Sequence, residues 1–350
     1  MQTFHIVVLP GDGIGPEVIA EAVKVLRAVE CRLREVRFRL EELSAGAGEY
    51  LRCGDPMPPE VFARCRACDA ILLGAMGLPD VRRPGGTEIA PQLDLREQLE
   101  LYAGVRPIRL YHAEHSPLKR YAAGEIDFVM FRENTEGMFA SRSAPHTPSE
   151  DPVCDTIRIS RRGSERLFRA AFREAARRRG LVTLVDKSNV LPSMAFFRRI
   201  FDEIAAEFPQ VRAERIYVDA AALYLVQRPH TFDVIVTENL FGDILSDLAA
   251  GLVGGMGMAP SGDIGDRHAV FQPSHGSAPD IAGQGIANPV AAILSMAMML
   301  EWLRHPETVR GAVLVRHAVE AVCSDGRWRT RDLGGALGTR EMGDRIAAAI

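Results

Sequence analysis

Asp243 and Asp247 stand four residues apart in Thr237-Glu-Asn-Leu-Phe-Gly-Asp-Ile-Leu-Ser-Asp247. The stretch reads as a strand-to-helix turn with Gly242 near the helix start, so both carboxylates project from one face, a turn apart. On a segment otherwise apolar (Ile244, Leu245, Leu248, Ala249, Ala250), such a pair suits a hard divalent cation such as Mg2+ or Mn2+; the same spacing also occurs on solvated helix faces. A second signal is Lys187, one of only three lysines among 42 basic residues. Where arginine meets the ordinary need for surface charge, a persisting lysine marks a place arginine does not serve, since only lysine works as a base near neutral pH. The plainer alternative is a surface lysine at a strand end. Arg96, Arg106 and Arg132 form the third signal, because a guanidinium past an apolar strand can fork onto a carboxylate.

These residues need an α/β scaffold. Apolar runs at Ile6–Leu9, Ala70–Leu73, Phe128–Phe131, Val182–Val185 and Val234–Thr237 predict strands. Periodic segments at Glu17–Val29, Ser164–Arg179, Met194–Phe208, Asp243–Leu252 and Val290–Leu303 predict helices. Lys187 then lies at the carboxyl end of a strand, where α/β sites are usually built. The stretch Ser141–Pro152, rich in Ser, Pro and His, reads as a loop or projecting arm. No linker or repeat divides the chain, which implies domains that interleave.

Composition narrows the classes. The 350 residues are 47% hydrophobic and 25% charged, as in a soluble globular protein of one large or two modest domains. A net charge of −4 gives no footprint for nucleic acid. The longest apolar stretch, Pro289–Leu300, is too short to span a bilayer and predicts a core helix. With no signal peptide visible, the six cysteines are read as reduced thiols in a cytoplasmic protein. Cys65-x-x-Cys68 lacks the second pair that a structural zinc site needs.

The first strand leads into Pro10-Gly-Asp-Gly-Ile14-Gly-Pro-Glu17. This is not the G-x-G-x-x-G of a Rossmann fingerprint, and no acidic residue closes a second strand at the expected distance. Glycines there still allow close backbone approach to a ligand.

The segments together resemble the metal-dependent β-decarboxylating dehydrogenases, the family of isopropylmalate, isocitrate, homoisocitrate and tartrate/D-malate dehydrogenases. The resembling stretches are Leu9 to Glu17, Arg96 with Arg106-Pro107, Arg132-Glu-Asn-Thr-Glu-Gly137, Asp186-Lys-Ser-Asn-Val190, Tyr217-Val-Asp219, Thr237 to Asp247, His275-Gly-Ser-Ala-Pro-Asp-Ile-Ala-Gly-Gln-Gly-Ile-Ala-Asn288 and Asp332-Leu-Gly-Gly335. They occur in family order and span nearly the whole chain.

The resemblance implies a two-domain α/β fold of the isopropylmalate dehydrogenase type, not a Rossmann fold, with a dimer arm in the second domain. Residues 1–100 plus 254–350 would form the cofactor-binding domain, and 101–253 the domain of the dimer interface. It implies a homodimer with shared sites, in which Lys187 and Asp219 reach the partner's cleft and Asp219, Asp243 and Asp247 hold the metal. Arg96, Arg106 and Arg132 would bind the carboxylates of a small 2-hydroxy acid. Ile14, His275, Gly276, Ser277, Ala278, Asp280, Ile281 and Asn288 would bind the cofactor. Asp280 stands where NADP-using relatives have lysine, so NAD is expected, a carboxylate there accepting bonds from ribose hydroxyls and repelling a 2′-phosphate.

Two departures stand out. The family's acid-side tyrosine, seven residues after the third arginine, is here Phe139, which has no proton to give. Ser141, placed by strand periodicity on the same face, is the substitute read from the sequence, positioning a water. Four residues before the first arginine, where isopropylmalate dehydrogenases carry leucine, stands Gln92. An amide against an isopropyl group costs up to a few kcal/mol if unpaired, so the expected substrate is malate-type: malate, tartrate or a related di- or tricarboxylate. The alternatives are 3-isopropylmalate and, from another class, a non-catalytic or regulatory subunit of the same fold.

Overall fold

A computed structural model describes residues 1–143 and 151–350. Ten strands form one sheet, in the order β2-β1-β3-β10-β9-β4-β5-β8-β6-β7. The first half of the chain supplies β1 (Gln2–Gly11), α1 (Gly15–Glu30), β2 (Val36–Glu42), α2 (Ala47–Cys53), α3 (Pro59–Ala67), β3 (Ala70–Ala75), α4 (Pro91–Gln98), β4 (Ala103–Arg109) and β5 (Asp127–Glu133). Next come α5 (Arg161–Ala175), β6 (Leu181–Asp186), α6 (Pro192–Ala205), β7 (Arg212–Tyr217), α7 (Val218–Gln227), β8 (Val234–Thr237) and α8 (Asn239–Gly251). The chain closes with β9 (Pro260–Ile264), β10 (Ala269–Pro273), α9 (Val290–Trp302), α10 (Pro306–Cys323) and α11 (Thr339–Ala348).

The outer strands pair in parallel, while β9 runs antiparallel to both β10 and β4, and β4 antiparallel to β5. This antiparallel centre separates the sheet from a doubly wound Rossmann order. It joins sequence-distant segments, with β9 and β10 sitting between β3 and β4.

Alternation along the strands assigns side chains to layers. On β5, Val129 and Phe131 pack with Leu167, Phe168, Phe197 and Phe201 of α5 and α6. Phe128 and Met130 face the other way, onto Ala221 and Leu225 of α7 and Leu245 and Ala249 of α8. Helix α9 is buried from Val290 to Leu300, the core helix that its apolar run predicts. It joins α1, α10 and α11 over Ile6, Val8, Leu72 and Phe271.

Of the expected arm, 144–150 lie outside the described residues. Residues Met138–Ser143 form a 3-10 helix rather than a strand. Gly137, at φ 75°, turns the chain out of β5 and exchanges backbone hydrogen bonds with Arg158. With three residues per turn, Phe139 and Ser141 diverge instead of sharing a face. No helix among the described residues is long and apolar enough to cross a membrane.

Candidate active site

Helix α8 begins where the buried Glu238 caps it, its carboxylate accepting from the backbone N–H groups of Leu240 (3.1 Å) and Phe241 (2.6 Å). Gly242 sits in the first turn, and a Cβ there would lie 2.7 Å from Cγ of Arg132. The missing side chain lets Arg132 cross the start of the helix. Arg132 is 1% exposed, donates to Asn239 Oδ1 through Nε (3.0 Å) and Nη2 (2.7 Å), and pairs through Nη1 with Asp243. Arg106 reaches the same helix from β4, donating through Nη1 to Ser246 Oγ (2.6 Å) and lying 3.4 Å from Asp247 Oδ1. Asp243 and Asp247 thus face two buried guanidinium groups while their own carboxylates stay 40% and 56% exposed.

Arg96, on α4, completes the cluster and donates through Nε to Asp263 Oδ2 at 2.9 Å. Burial pushes the Arg132 guanidinium down to about 9, with the charges of Arg96 and Arg106 adding to the effect and Asp243 opposing it. Arg106 is lowered in the same way, first by burial and then by Arg96. Three cations crowded out of water are an electrostatic demand that bound carboxylates relieve.

Lys187 follows β6 directly, and its Nζ donates to Asp219 Oδ1 at 2.8 Å, in the first turn of α7. The hydrogen bond from Lys187 holds the Asp219 carboxyl below its usual range. This pair does not join the other two carboxylates: no group of three or more His, Cys, Asp or Glu able to hold a metal occurs among the described residues. Asp243 and Asp247 offer oxygen donors of the kind a hard cation takes, but Mg2+ requires about six ligands, so the remainder must come from substrate, water or a second subunit. Asp247 is itself raised, by burial first.

Gln92 lies one turn before Arg96 on α4, and its Oε1 is buried with no hydrogen-bond partner. The Phe139 ring packs 5.1 Å from the Arg132 guanidinium carbon. Ser141 does not serve as the sequence suggests. Its hydroxyl accepts from Thr156 N (2.8 Å) and donates to Thr156 O (3.1 Å), and so ties the loop to itself.

The glycine turn after β1 meets the segment 275–288. Ile14 N donates to Ser277 O at 2.8 Å, and a Cβ on Gly13 would lie 1.9 Å from that oxygen, so glycine is obligatory there. Ser277 Oγ donates to Gly77 O at 2.5 Å, and Ala278 takes a positive φ of 38°. Asn288 Nδ2 reaches Asp332 Oδ2 at 3.1 Å. His275 uses Nδ1 on Gly276 O (2.9 Å) and leaves Nε2 buried without a partner. Gly276 and Asp280 are exposed and Ile281 half-buried.

Several contributors escape sequence reasoning. Asp12 accepts from the backbone of Ala47 (2.7 Å), Gly48 (2.8 Å) and Gly77 (2.8 Å), fastening the turn after β1 to the start of α2 and the loop after β3. Glu17 accepts from the N–H groups of Gly283 and Gly285, which fixes the far end of the 275–288 loop. Asn239 orients Arg132, and Asp263 holds Arg96. An acid within a short, otherwise uncharged strand is the signal for Asp263; the others lie inside recognisable motifs without distinguishing marks.

Residues 5–346 match the profile of the family described as isocitrate/isopropylmalate dehydrogenase. The 3-isopropylmalate dehydrogenase of Moorella thermoacetica is 45% identical, covering 98% of both chains. That of Thermotoga maritima is 44% identical over 99% of this chain and 98% of its own. Among solved structures, isocitrate dehydrogenase from Methylococcus capsulatus superposes with a TM-score of 0.88 at 38% identity, over 99% of each chain.

Proposed function

Since this chain belongs to the isocitrate/isopropylmalate dehydrogenase family, whose members are nicotinamide-dependent, metal-requiring decarboxylating dehydrogenases acting on a CH–OH group, we propose that its substrate is 3-isopropylmalate. The observation that carries this is the name shared by relatives 44–45% identical along nearly the full chain. It outweighs the malate-type acid read from Gln92. We further propose NAD+ as oxidant, Mg2+ or Mn2+ as metal, and a division into a cofactor domain (1–100 plus 254–350) and a dimer domain (101–253).

In this reading Arg96, Arg106 and Arg132 clamp the two substrate carboxylates and orient C2 toward the nicotinamide. Asp243 and Asp247 would hold the metal with Asp219 of a second subunit; when bound, the metal acidifies the substrate hydroxyl and withdraws electrons from the ketone that forms. Lys187 of a second subunit would take the hydroxyl proton, and bound NAD+ would supply the hydride acceptor for C2. The bond from C3 to its carboxylate then breaks, CO2 leaves, and the electron pair remains as an enolate that needs a proton at C3. Exposed apolar side chains on the helices that carry Asp219 and Asp243, namely Leu223, Val226 and Ile244, with Tyr217 just before α7, support pairing of two copies.

A malate- or tartrate-type substrate is the second reading; the bare, buried Oε1 of Gln92 would be satisfied by an acid with a hydroxyl on C3, which tartrate has and malate lacks. NADH formation should be measured over 3-isopropylmalate, malate, tartrate, isocitrate and homoisocitrate with Mg2+ or Mn2+, with CO2 followed in parallel. The highest kcat/KM is expected with 3-isopropylmalate. A clear lead for malate or tartrate selects the second reading, and silence with every acid selects a non-catalytic subunit.

A further inference from the structure

Asp263 on β9 is 1% exposed, a carboxylate in the centre of the sheet. A buried charge is tolerated only when paired and fully hydrogen-bonded. Here Oδ2 accepts from Arg96 Nε (2.9 Å) and Gln272 Nε2 (2.7 Å), and Oδ1 from Asn134 Nδ2 (2.7 Å). Burial pushes its pKa up, but the charge of Arg96 and the bonds it receives hold it below the usual range. The surroundings are shaped for this network. Gly104 faces Asp263 across the β4–β9 ladder, and a Cβ there would meet Asn134 Oδ1 at 2.7 Å.

The consequence concerns Arg96. Its Nε edge is consumed by Asp263, while Nη1 and Nη2 have no protein acceptor among the described residues. Arg132 spends both Nη groups on α8, and Arg106 spends Nη1 on Ser246 while its Nη2 lies 3.9 Å from Asp243 Oδ1. Arg96 is therefore the guanidinium with an unengaged pair of donors, set in one orientation by a fixed counter-ion. We propose that Asp263 is a positioning residue that pins the Nε edge of Arg96 so that its Nη edge meets a substrate carboxylate. The proposal rests on the assignment of Arg96 as a substrate ligand above.

A simple change of charge and a loss of positioning act in opposite directions. Removing a negative charge near the arginines strengthens anion binding; releasing Arg96 weakens it. Asp263→Asn replaces an acceptor of three bonds with a group that brings two donors of its own. Binding of 3-isopropylmalate with Mg2+ present and NAD+ absent should be measured by calorimetry, alongside steady-state kinetics. The expected result is binding about 10–100-fold weaker, a similar rise in KM, and kcat within about threefold, because a fixed carboxylate clamp acts on ground and transition states alike. The double variant Asp263→Asn/Gln272→Glu returns the carboxylate to the adjacent side chain, compensates for a single variant that folds poorly, and should recover most of the affinity. Unchanged or tighter binding in Asp263→Asn, or a double variant no better than the single, overturns the proposal. Wild-type protein that binds the acid without turning it over defeats the proposed reaction alone; wild-type protein that binds neither 3-isopropylmalate nor malate overturns both.

Discussion

Lys187 Nζ donates to Asp219 Oδ1 across 2.8 Å, bridging the end of β6 and the first turn of α7. The pair is pre-assembled within one chain, yet no three-carboxylate group forms with Asp243 and Asp247 among the described residues. A base and a carboxylate held ready beside exposed apolar side chains have a use if they complete a neighbour's cleft.

Mixed dimers test that use. Lys187→Ala and Asp243→Ala homodimers should each be inactive, losing at least about 10²-fold in kcat as a base or a metal ligand is removed. After subunit exchange, a heterodimer holds one intact site and one doubly defective site, so activity should return toward half the wild-type value per heterodimer. Native mass spectrometry confirms exchange. No recovery in exchanged mixtures would show that each chain builds its own site.

Asp280 is exposed in the 275–288 loop and caps no helix, which leaves its carboxylate available to a ligand. Its charge should favour NAD+ over NADP+, by at least about 10-fold in kcat/KM, since a 2′-phosphate placed against a carboxylate is repelled. Asp280→Lys should reverse or abolish the preference. Equal kcat/KM for the two cofactors in the wild type would remove Asp280 from this role.

Much of this was legible in sequence because motifs and periodicity are local. The fold class, the family and the apolar α9 follow from runs of residues that need no tertiary information. The 3-10 helix around Phe139 was not legible, because the left-handed turn at Gly137 and its pairing with Arg158 are decided by a segment some twenty residues away. The role of Asp263 was hidden for a similar reason. Its partners Arg96, Asn134 and Gln272 come from three separate stretches of the chain, and one bond spans 167 positions. Gln92 is a narrow guide to substrate, since one side chain sets one contact and the rest of the pocket is built by distant segments.

His115 offers a pH test of stability. It is 5% exposed, both ring nitrogens lack partners, and burial, aided by the neighbouring His112, pushes its pKa down to about 4. The unfolded chain binds the proton near pH 6.5, so between about pH 6.5 and 4 unfolding takes up a proton that the native state refuses, and stability falls as pH falls. Above that window the group contributes no slope, and below it both states are protonated. The loss should be about 2 kcal/mol after a discount for solvent screening. Urea unfolding across pH 4–7 should show a flatter profile for His115→Leu. Parallel profiles would place the acid sensitivity elsewhere.

Phe139 bears on the last proton transfer. Its ring lies 5.1 Å from the Arg132 guanidinium carbon and lines, with Leu93, Asn134 and Asn239, a space of about 20 Å3. That volume admits roughly one water. Ser141 is spent on Thr156, so its hydroxyl is not free to protonate C3 of the enolate. Without a positioned acid this step should lag behind hydride transfer, since such acids contribute about 10²–10⁴-fold. Phe139→Tyr should therefore raise the decarboxylated fraction of product, by about 10-fold or more in the rate of that step, with hydride transfer little changed. Rapid quench after a single turnover, with the 2-keto acid and the decarboxylated ketone measured separately, reads the partition directly. If the new hydroxyl is instead buried unpaired, the variant loses activity and the decarboxylated fraction stays level or drops. The proton source would then be sought in a water admitted to the space beside the ring or at Lys187 of the second subunit.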